Sequence, residues 1–364
     1  MKKDPLGKKL AFIYNLRHKY PDPKNIATFK ETDFDDQATI DCFINHLKNI
    51  GFDVLPIEAN MDAEKILLKE KSNINFVLNY SEEVLGSDPK IYMAEILERN
   101  GFYFSGCRNA VQRLIINKGK MKTVLLAKDV STLPFQVIKN AKEKLSDKLS
   151  FPVIVKPIAR GSSAGITNKS VVKNNKELSA QVKFILDTFS EPALIEPFIA
   201  GREFSIGMLG NPPELFPIIE PMHDKLPGNF QPIDSLEVKW EFEEVVGESY
   251  FNCPAKVDEN LKSQIEILCF ATWKALDIRD FCRIDLRADK SGKLYVLDVN
   301  SPPGIIPPEV TATSYFAMAA RINGYDYETL LKKIIETGMK RYSFATEPDI
   351  KFSPSPSPNI ALTP

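Results

Sequence analysis

The chain reads as an α/β protein whose C-terminal part becomes α+β, and three observations carry that reading. Strand-length apolar runs alternate with helical spacing over residues 9–115. Beyond them, strand patterns follow one another without that regular alternation. Near the C-terminal end, residues 281–300 form two arms of alternating apolar and polar residues around a turn.

Leu10-Ala-Phe-Ile-Tyr14 is a short apolar strand. Ile40, Phe43, Ile44, Leu47 and Ile50 recur at helical spacing and stop at Gly51, a residue type that ends helices. Val54–Ile57 and Phe76–Leu78 are further strands, with helical stretches at Ala63–Lys71 and Ile91–Asn100. That order implies a small, mostly parallel, Rossmann-like sheet. No G-x-G-x-x-G follows the first strand, which removes a dehydrogenase reading. A second block opens on a helix at Lys118–Lys128 and carries strands at Phe135–Ile138, Val153–Lys156 and Ala193–Glu196. The third holds antiparallel-looking strands, the two-armed stretch and helical patterns at Asn260–Leu276 and Tyr327–Thr337. The expected division is therefore 1–117, 118–200 and 201–345, with a mobile Pro/Ser-rich tail at 346–364.

At 364 residues the chain has room for two or three domains. A net charge of −1 gives no bulk attraction to nucleic acid or to an anionic membrane. No apolar run approaches the ~20 residues of a membrane helix, and no signal-peptide core follows Met1-Lys-Lys-Asp-Pro. Cys42, Cys107, Cys253, Cys269 and Cys282 lack C-x-x-C spacing and read as buried free thiols. Thiols of that kind suit a reducing compartment, so the expected location is cytoplasmic. His18, His46 and His223 are too far apart in sequence to support a histidine-based centre.

The 281–300 stretch carries the main chemical signal. Arg283, Asp285 and Arg287 share one face of the first arm; Asp298 and Asn300 share one with Val296 on the second. If the arms close antiparallel through about four residues around Ser291-Gly292, Asp285 falls opposite Asp298 and Arg283 opposite Asn300. Two acids across a ladder repel, so something cationic is expected between them. Hard oxygen ligands of this kind suit Mg²⁺. On the pattern alone, the competing reading is a solvated charged hairpin.

Two further segments point to a nucleotide. Phe151-Pro-Val-Ile-Val-Lys156 is a buried strand that runs on to Gly161-Ser-Ser-Ala-Gly165. The glycines permit close backbone approach to polyphosphate, Ser162 and Ser163 add donors, and Lys156 adds a point charge. The P-loop pattern is absent, and a plain turn is the alternative. Leu194-Ile-Glu196-Pro-Phe-Ile199 then leads to Gly201-Arg-Glu203. Glu196 and Glu203 could serve an adenine amino group and a ribose hydroxyl, with backbone groups around Phe198 and Ile199 reading the base edge. The alternative is two solvated glutamates on a strand edge. Lys118 is either a further phosphate ligand or only a helix-start lysine.

In this order the elements resemble the ATP-grasp superfamily, most closely the D-alanine–D-alanine ligase family, over roughly residues 75–340. Asn117-Lys118-Gly-Lys-Met-Lys122 is similar to the family's helix start, and the 151–165 segment to its phosphate loop. Ile195-Glu196 and Gly201-Arg-Glu203-Phe are similar to its adenosine contacts. Arg283-Ile-Asp285, Asp298-Val-Asn300 and Pro303-Gly304 are similar to its catalytic and metal core, and Ala317–Arg321 followed by Gly324 to its late helix.

The resemblance implies an ATP-grasp fold with an N-terminal Rossmann-like preATP-grasp domain. It also implies ATP-driven C–N bond formation from small-molecule carboxylate and amine substrates, and a homodimer through the N-terminal domain. A carboxylate would attack the γ-phosphate of ATP, giving an acylphosphate and ADP, and an amine would then attack the acyl carbon. Asp285, Asp298 and Asn300 would hold Mg²⁺ (or Mn²⁺). Lys118 and Lys156 would steady the phosphates, with ATP contacts also from Ser163, Glu196, Phe198, Ile199, Glu203, Lys239 and Leu297. Arg283 and the Gly304 N–H would face the oxyanion, and Ser162 would be a positioning donor over the reacting centre.

Four departures bear on the substrates. The family's glycine-rich start, with an acid that grips the first amine, gives way to Leu16-Arg-His-Lys-Tyr-Pro-Asp-Pro and Lys30-Glu-Thr-Asp-Phe-Asp-Asp36. Glu31 or Asp33 could supply that acid. Arg160 stands where the family has an acid, and Trp240, in Glu237-Val-Lys-Trp240, where it usually has a catalytic tyrosine. The serine that binds the second D-alanine's carboxylate looks replaced near Glu309, an anion that would repel a carboxylate at close range. The expectation is a ligase for something other than two D-alanines, such as an amine-rich acceptor or a peptide-like substrate. A true D-alanine–D-alanine ligase and a non-catalytic nucleotide-binding module are the alternatives. An oxyanion arginine argues against the module, since binding alone does not need one.

Overall fold

The computed structural model describes residues 9–20 and 31–343, so the expected tail at 346–364 lies outside the described residues. β1 (Lys9–Tyr14) is apolar on both faces and is buried from Leu10 to Ile13. α1 (Gln37–Asn49) starts at Asp36, whose carboxylate accepts from the Thr39 N–H at 2.8 Å. It is followed by Gly51 at φ +102°, a conformation that favours glycine. β2 (Asp53–Glu58), α2 (Ala63–Glu70), β3 (Ile74–Asn79), α3 (Met93–Arg99) and α4 (Asn109–Ile116) follow. The three strands make an all-parallel sheet in the order β2-β1-β3, as expected. The loops that leave its strands therefore share one edge, the edge at which open α/β sheets bind ligands.

α5 (Lys118–Ala127) is capped by the Asn117 side chain, which accepts from the Lys120 N–H at 3.0 Å. β4 (Gln136–Ile138), β5 (Val153–Pro157), β6 (Val171–Val172), α6 (Asn175–Phe189) and β7 (Ala193–Pro197) complete the middle block. Its sheet is antiparallel, in the order β4-β7-β5-β6. α6 was not among the expected helices, because lysine, serine, glutamine and threonine dilute its apolar stripe. Leu178, Val182, Ile185 and Phe189 nevertheless recur at helical spacing and pack under the sheet.

β8 (Glu203–Gly210), β9 (Pro213–Leu215) and β10 (Glu220–Pro221) open the last block. A π-turn at Val238–Phe242 precedes α7 (Glu243–Val246), β11 (Phe251–Asn252) and α8 (Glu259–Leu276). β12 (Phe281–Ala288), β13 (Leu294–Asn300), α9 (Tyr315–Ile322) and α10 (Tyr327–Ser343) complete the chain, α10 running past the expected end at Thr337. The sheet order is β13-β12-β8-β9. Among the described residues no helix is long and apolar enough to cross a membrane.

β12 and β13 form the expected hairpin, with Arg283 opposite Asn300 and Asp285 opposite Asp298. One expectation fails. After Asp285 the register slips, so that Leu286 pairs with Val296 and Leu297 is the extra residue of a bulge. Val296 is therefore fully buried in the apolar cluster that includes Val299 and Leu294, and does not share the face of Asp298 and Asn300. The cysteines also differ in part: Cys107, Cys269 and Cys282 are buried, while Cys42 and Cys253 are half-buried, and all are free.

Candidate active site

A cavity of about 400 Å³ opens where five segments meet beside the junction of α4 and α5, which carries Lys118. They are the loops leaving the parallel sheet, the glycine loop, the 239–243 turn, the end of the hairpin and residues 301–315. Of the residues singled out from sequence, Lys118, Ser162, Lys239, Arg283, Asp298, Asn300, Gly304, Asp33 and Trp240 stand on its wall.

The hairpin end is a saturated polar network. Arg283 donates to both Asp285 oxygens at 2.9 Å, Ser205 Oγ donates to Oδ1 at 2.6 Å, and Asn300 Nδ2 donates to Oδ2 at 3.0 Å. Asp298 faces Lys118 Nζ at 2.5 Å. Each acid thus has its own cation, so the repulsion expected between them is relieved from two sides. Burial opposes charge on Arg283, but Asp285 more than compensates and raises its pKa. Two carboxylates and an amide oxygen are the ligand types that suit Mg²⁺, and because four donors use the lone pairs of Asp285, a metal here would take Asp298 and the Asn300 amide oxygen first. Asp298 and Asn300 present theirs at the wall, while Asp285 sits behind them, 9% exposed. Gly304 has nothing within 4 Å of an added Cβ, and among the described residues its N–H has no partner.

The residues expected to hold the nucleotide lie on strands of the two antiparallel sheets and the segments beside them, Lys156 on β5, Glu196 on β7 and Glu203 on β8. Glu196 is fully buried, with Lys122 Nζ at 2.6 Å and Lys156 Nζ at 3.1 Å. Burial pushes its carboxyl up, and the two lysines more than offset that, leaving it below the usual range. In this structure Glu196 anchors two lysines and presents no free carboxylate. Glu203 accepts from Arg287 at 2.9 Å, lies 3.3 Å from His223 Nε2, and is held at about 2 despite its burial by those two groups. The Arg287 guanidinium lies 5.5 Å from the Phe198 ring centroid. The Phe198 N–H is engaged by Pro152 O at 3.0 Å; that of the neighbouring, half-buried Ile199 has no partner among the described residues. Leu297, the bulge residue, is half-buried. Ser163, at φ +59°, donates to Asp234 O at 2.5 Å, which leaves Ser162 as the loop hydroxyl at the cavity.

Beside Lys239, Tyr315 OH lies 3.0 Å from Asp234 Oδ2 and 3.2 Å from Glu243 Oε1. Burial and the neighbouring Asp234 push the Glu243 carboxyl up to about 8. A protonated Glu243 can then donate to Tyr315 while Tyr315 donates to Asp234.

The far end of the cavity is acidic, and sequence analysis found only part of it. Asp33 accepts from the Gly161 N–H at 3.2 Å, tying the 31–36 segment to the glycine loop. Asp35, Asp36 and Glu82 join it on the wall, with Arg17 among them. Burial lifts Asp35 to about 6, while burial with Asp33 and Glu83 nearby lifts Glu82 to about 8. Glu82 follows the last parallel strand, and that strand-end position was the available signal.

Two of the expected substrate residues are placed elsewhere. Glu31 accepts from the His18 and Lys19 N–H groups at 2.7 Å and is absent from the wall. Glu309 turns to His46, 3.3 Å away, and also lies off the wall. The repulsion argued for Glu309 therefore does not act inside the cavity. A serine does line it: Ser314 Oγ donates to Gly304 O at 3.0 Å. Trp240 lies 5.0 Å from the Arg17 guanidinium, and Arg160, also on the wall, pairs with Glu191 at 2.8 Å.

Two antiparallel sheets enclosing lysines, a glycine loop and an arginine–acid hairpin, behind a parallel N-terminal sheet, are the architecture of an ATP-grasp enzyme. The structure superposes on the D-alanine–D-alanine ligase of Bacillus anthracis complexed with ATP at TM-score 0.67 and 21% identity, covering 93% of this chain and 99% of that one. The family model described as D-ala D-ala ligase C-terminus matches residues 114–336, more than half of the chain. A protein of Sinorhizobium fredii, y4sG, described as uncharacterized, is 30% identical over 267 residues, 73% of this chain and 75% of that protein. The D-alanine–D-alanine ligase of Geobacter sulfurreducens is 25% identical over 293 residues, covering 79% and 84% of the two chains. The chain belongs to the D-alanine–D-alanine ligase family and is an ADP-forming ATP-grasp ligase.

Proposed function

We propose that the chain joins a carboxylate to an amine through an acylphosphate, and that its substrate ends are altered so that the acid-lined end of the cavity takes an amino-bearing substrate other than D-alanine. The observation that carries this is the concentration of acids on the cavity wall. Asp33, Asp35, Asp36 and Glu82 line it with Arg17 and Arg160, as Lys118, Lys239 and Arg283 do with Asp298 and Glu243. A zwitterionic or amine-rich substrate would lie with its carboxylate toward Arg283 and its ammonium toward the acids.

In this reading Lys118 and Lys156 hold the phosphates, and Glu196 keeps Lys156 in place. Arg283, itself held by Asp285, and the open Gly304 N–H face charge as it builds on the acyl oxygen. Ser162, Lys239 and Trp240 close over the reacting groups. Asp298 and Asn300, with Asp285 behind them, would hold Mg²⁺ or Mn²⁺, which when bound neutralises phosphate charge. The block limits at 117, 200 and 345 belong to the same proposal. A second reading, D-alanine–D-alanine ligation itself, is supported by the names of the relatives and by Ser314 on the wall.

The test is MgATP-dependent ADP release across amino acids, dipeptides and polyamines, with mass spectrometry of the product. A product from an amine other than D-alanine supports the first reading. D-alanyl-D-alanine as the sole product supports the second.

A further inference from the structure

Outside the cavity, Cys42 and His46 stand one turn apart on the same face of α1. Glu309 meets them from the 301–314 segment. A sulfur, a ring nitrogen and a carboxylate oxygen, one from each, all lie within 4.8 Å of one another. The proposed ligase chemistry uses none of the three. His46 Nε2 is 3.3 Å from Glu309 Oε2, and its Nδ1 is 3.3 Å from Glu328 Oε1. A neutral imidazole has one N–H, so it can satisfy only one of these carboxylates. With that proton donated from Nδ1 to Glu328, the Nε2 lone pair faces the Glu309 carboxylate across a gap suited to a cation. An imidazolium would settle that pair but leaves the Cys42 sulfur at the same point without a role.

We propose that Cys42, His46 and Glu309 bind a divalent transition-metal ion, with Zn²⁺ the best chemical match. Thiolate, imidazole and carboxylate are the zinc ligand types, and bonds of about 2.0–2.3 Å place two tetrahedral ligands about 3.3–3.7 Å apart. The 3.3 Å between His46 and Glu309 already meets that spacing. The other separations, none above 4.8 Å, close by rotation of the Cys42 and Glu309 side chains, and Glu309 is 57% exposed. Glu328, on the far ring nitrogen, fixes the tautomer, and Asn49 Nδ2 holds Glu328 at 3.1 Å. Binding sends the Cys42 thiol proton to solvent and leaves a fourth position for water. The ion would clip α1, which begins at the wall residue Asp36, to the segment that carries Gly304 and Ser314 on the wall.

The full-length chain, reduced and stripped with chelator, is titrated with Co²⁺ as an optical probe and then with Zn²⁺. The expected result is one Co²⁺ per chain with a near-ultraviolet thiolate-to-metal band, displaced by Zn²⁺. Cys107, Cys269 and Cys282 are buried, so Cys253→Ser is the control and should keep the band. Cys42→Ser should lose it, Glu309→Gln should weaken binding, and Glu328→Gln should weaken it by about 10–100-fold. No band in the parent chain, or a band that survives Cys42→Ser, overturns the site. If Cys42→Ser fails to fold, the band's response to Glu309→Gln decides.

Discussion

Lys118 Nζ and Asp298 Oδ2 stand 2.5 Å apart, joining the first residue of α5 to the hairpin across 180 positions of sequence. The pair puts a proposed phosphate ligand and a proposed metal ligand at one point of the cavity wall. Lys118→Met should lower kcat/KM for ATP by about 10²-fold. Adding Asp298→Asn should cost less than the product of the two single losses, because each single change already leaves the other group unpaired. Initial rates of ADP release over the four-member cycle give the coupling; strictly multiplicative losses would separate the two residues.

Arg283 grips Asp285 with two parallel bonds at 2.9 Å, a geometry that a lysine cannot reproduce. Arg283→Lys should therefore lower kcat by about 10²–10³-fold while changing KM for ATP little. Unchanged turnover would remove the oxyanion role from this residue.

Two glycines should behave oppositely. A Cβ on Gly201 would stand 2.0 Å from the backbone carbonyl Ala288 O, which no side-chain rotation relieves. Gly201→Ala should destabilise the chain by about 2–3 kcal/mol or block its folding. Gly304 has open space around it, so Gly304→Ala should shift the melting temperature by no more than a degree or so. Thermal unfolding of both variants checks the contrast.

The Glu82 carboxyl, lifted to about 8 by burial, binds its proton more tightly folded than unfolded. Between its unfolded value near 4.5 and that raised value the folded chain holds the extra proton. Stability should therefore fall as pH rises through this window, and Glu82→Gln should flatten the fall. An ammonium placed against Glu82 favours the carboxylate, so affinity for an amine-bearing substrate should rise toward pH 8, by at most about tenfold per pH unit. Melting temperatures and substrate KM across this range test both; a Glu82→Gln profile parallel to the parent's would contradict them.

Much of the fold was legible because its signals are local. The alternation in residues 281–288 and 298–300 fixed the pairing of Asp285 with Asp298. It failed at Val296, since a bulge shifts the period by one residue and leaves no mark in composition. The acidic end of the cavity was only half visible. Asp35 and Glu82 line one cavity because β1 and β3 lie side by side in parallel and the segments after them leave the same edge, a pairing that spacing along the chain does not reveal. Glu309 was misplaced for a related reason: position along a wall-forming segment does not say which side chains turn inward. Glu203, His223 and Asp234 come from separate elements, so three histidines far apart in sequence gave no hint that one of them stands beside Glu203.

The proposed chemistry turns on a carboxylate activated by phosphorylation, an intermediate that hydroxylamine can trap. The chain would be supplied with MgATP, hydroxylamine and a panel of amino acid and dipeptide carboxylates. A hydroxamate should form in step with ADP, depend on the carboxylate and be lost in Asn300→Ala. AMP and pyrophosphate in place of ADP, or MgATP that binds and is never turned over with any carboxylate, would contradict it.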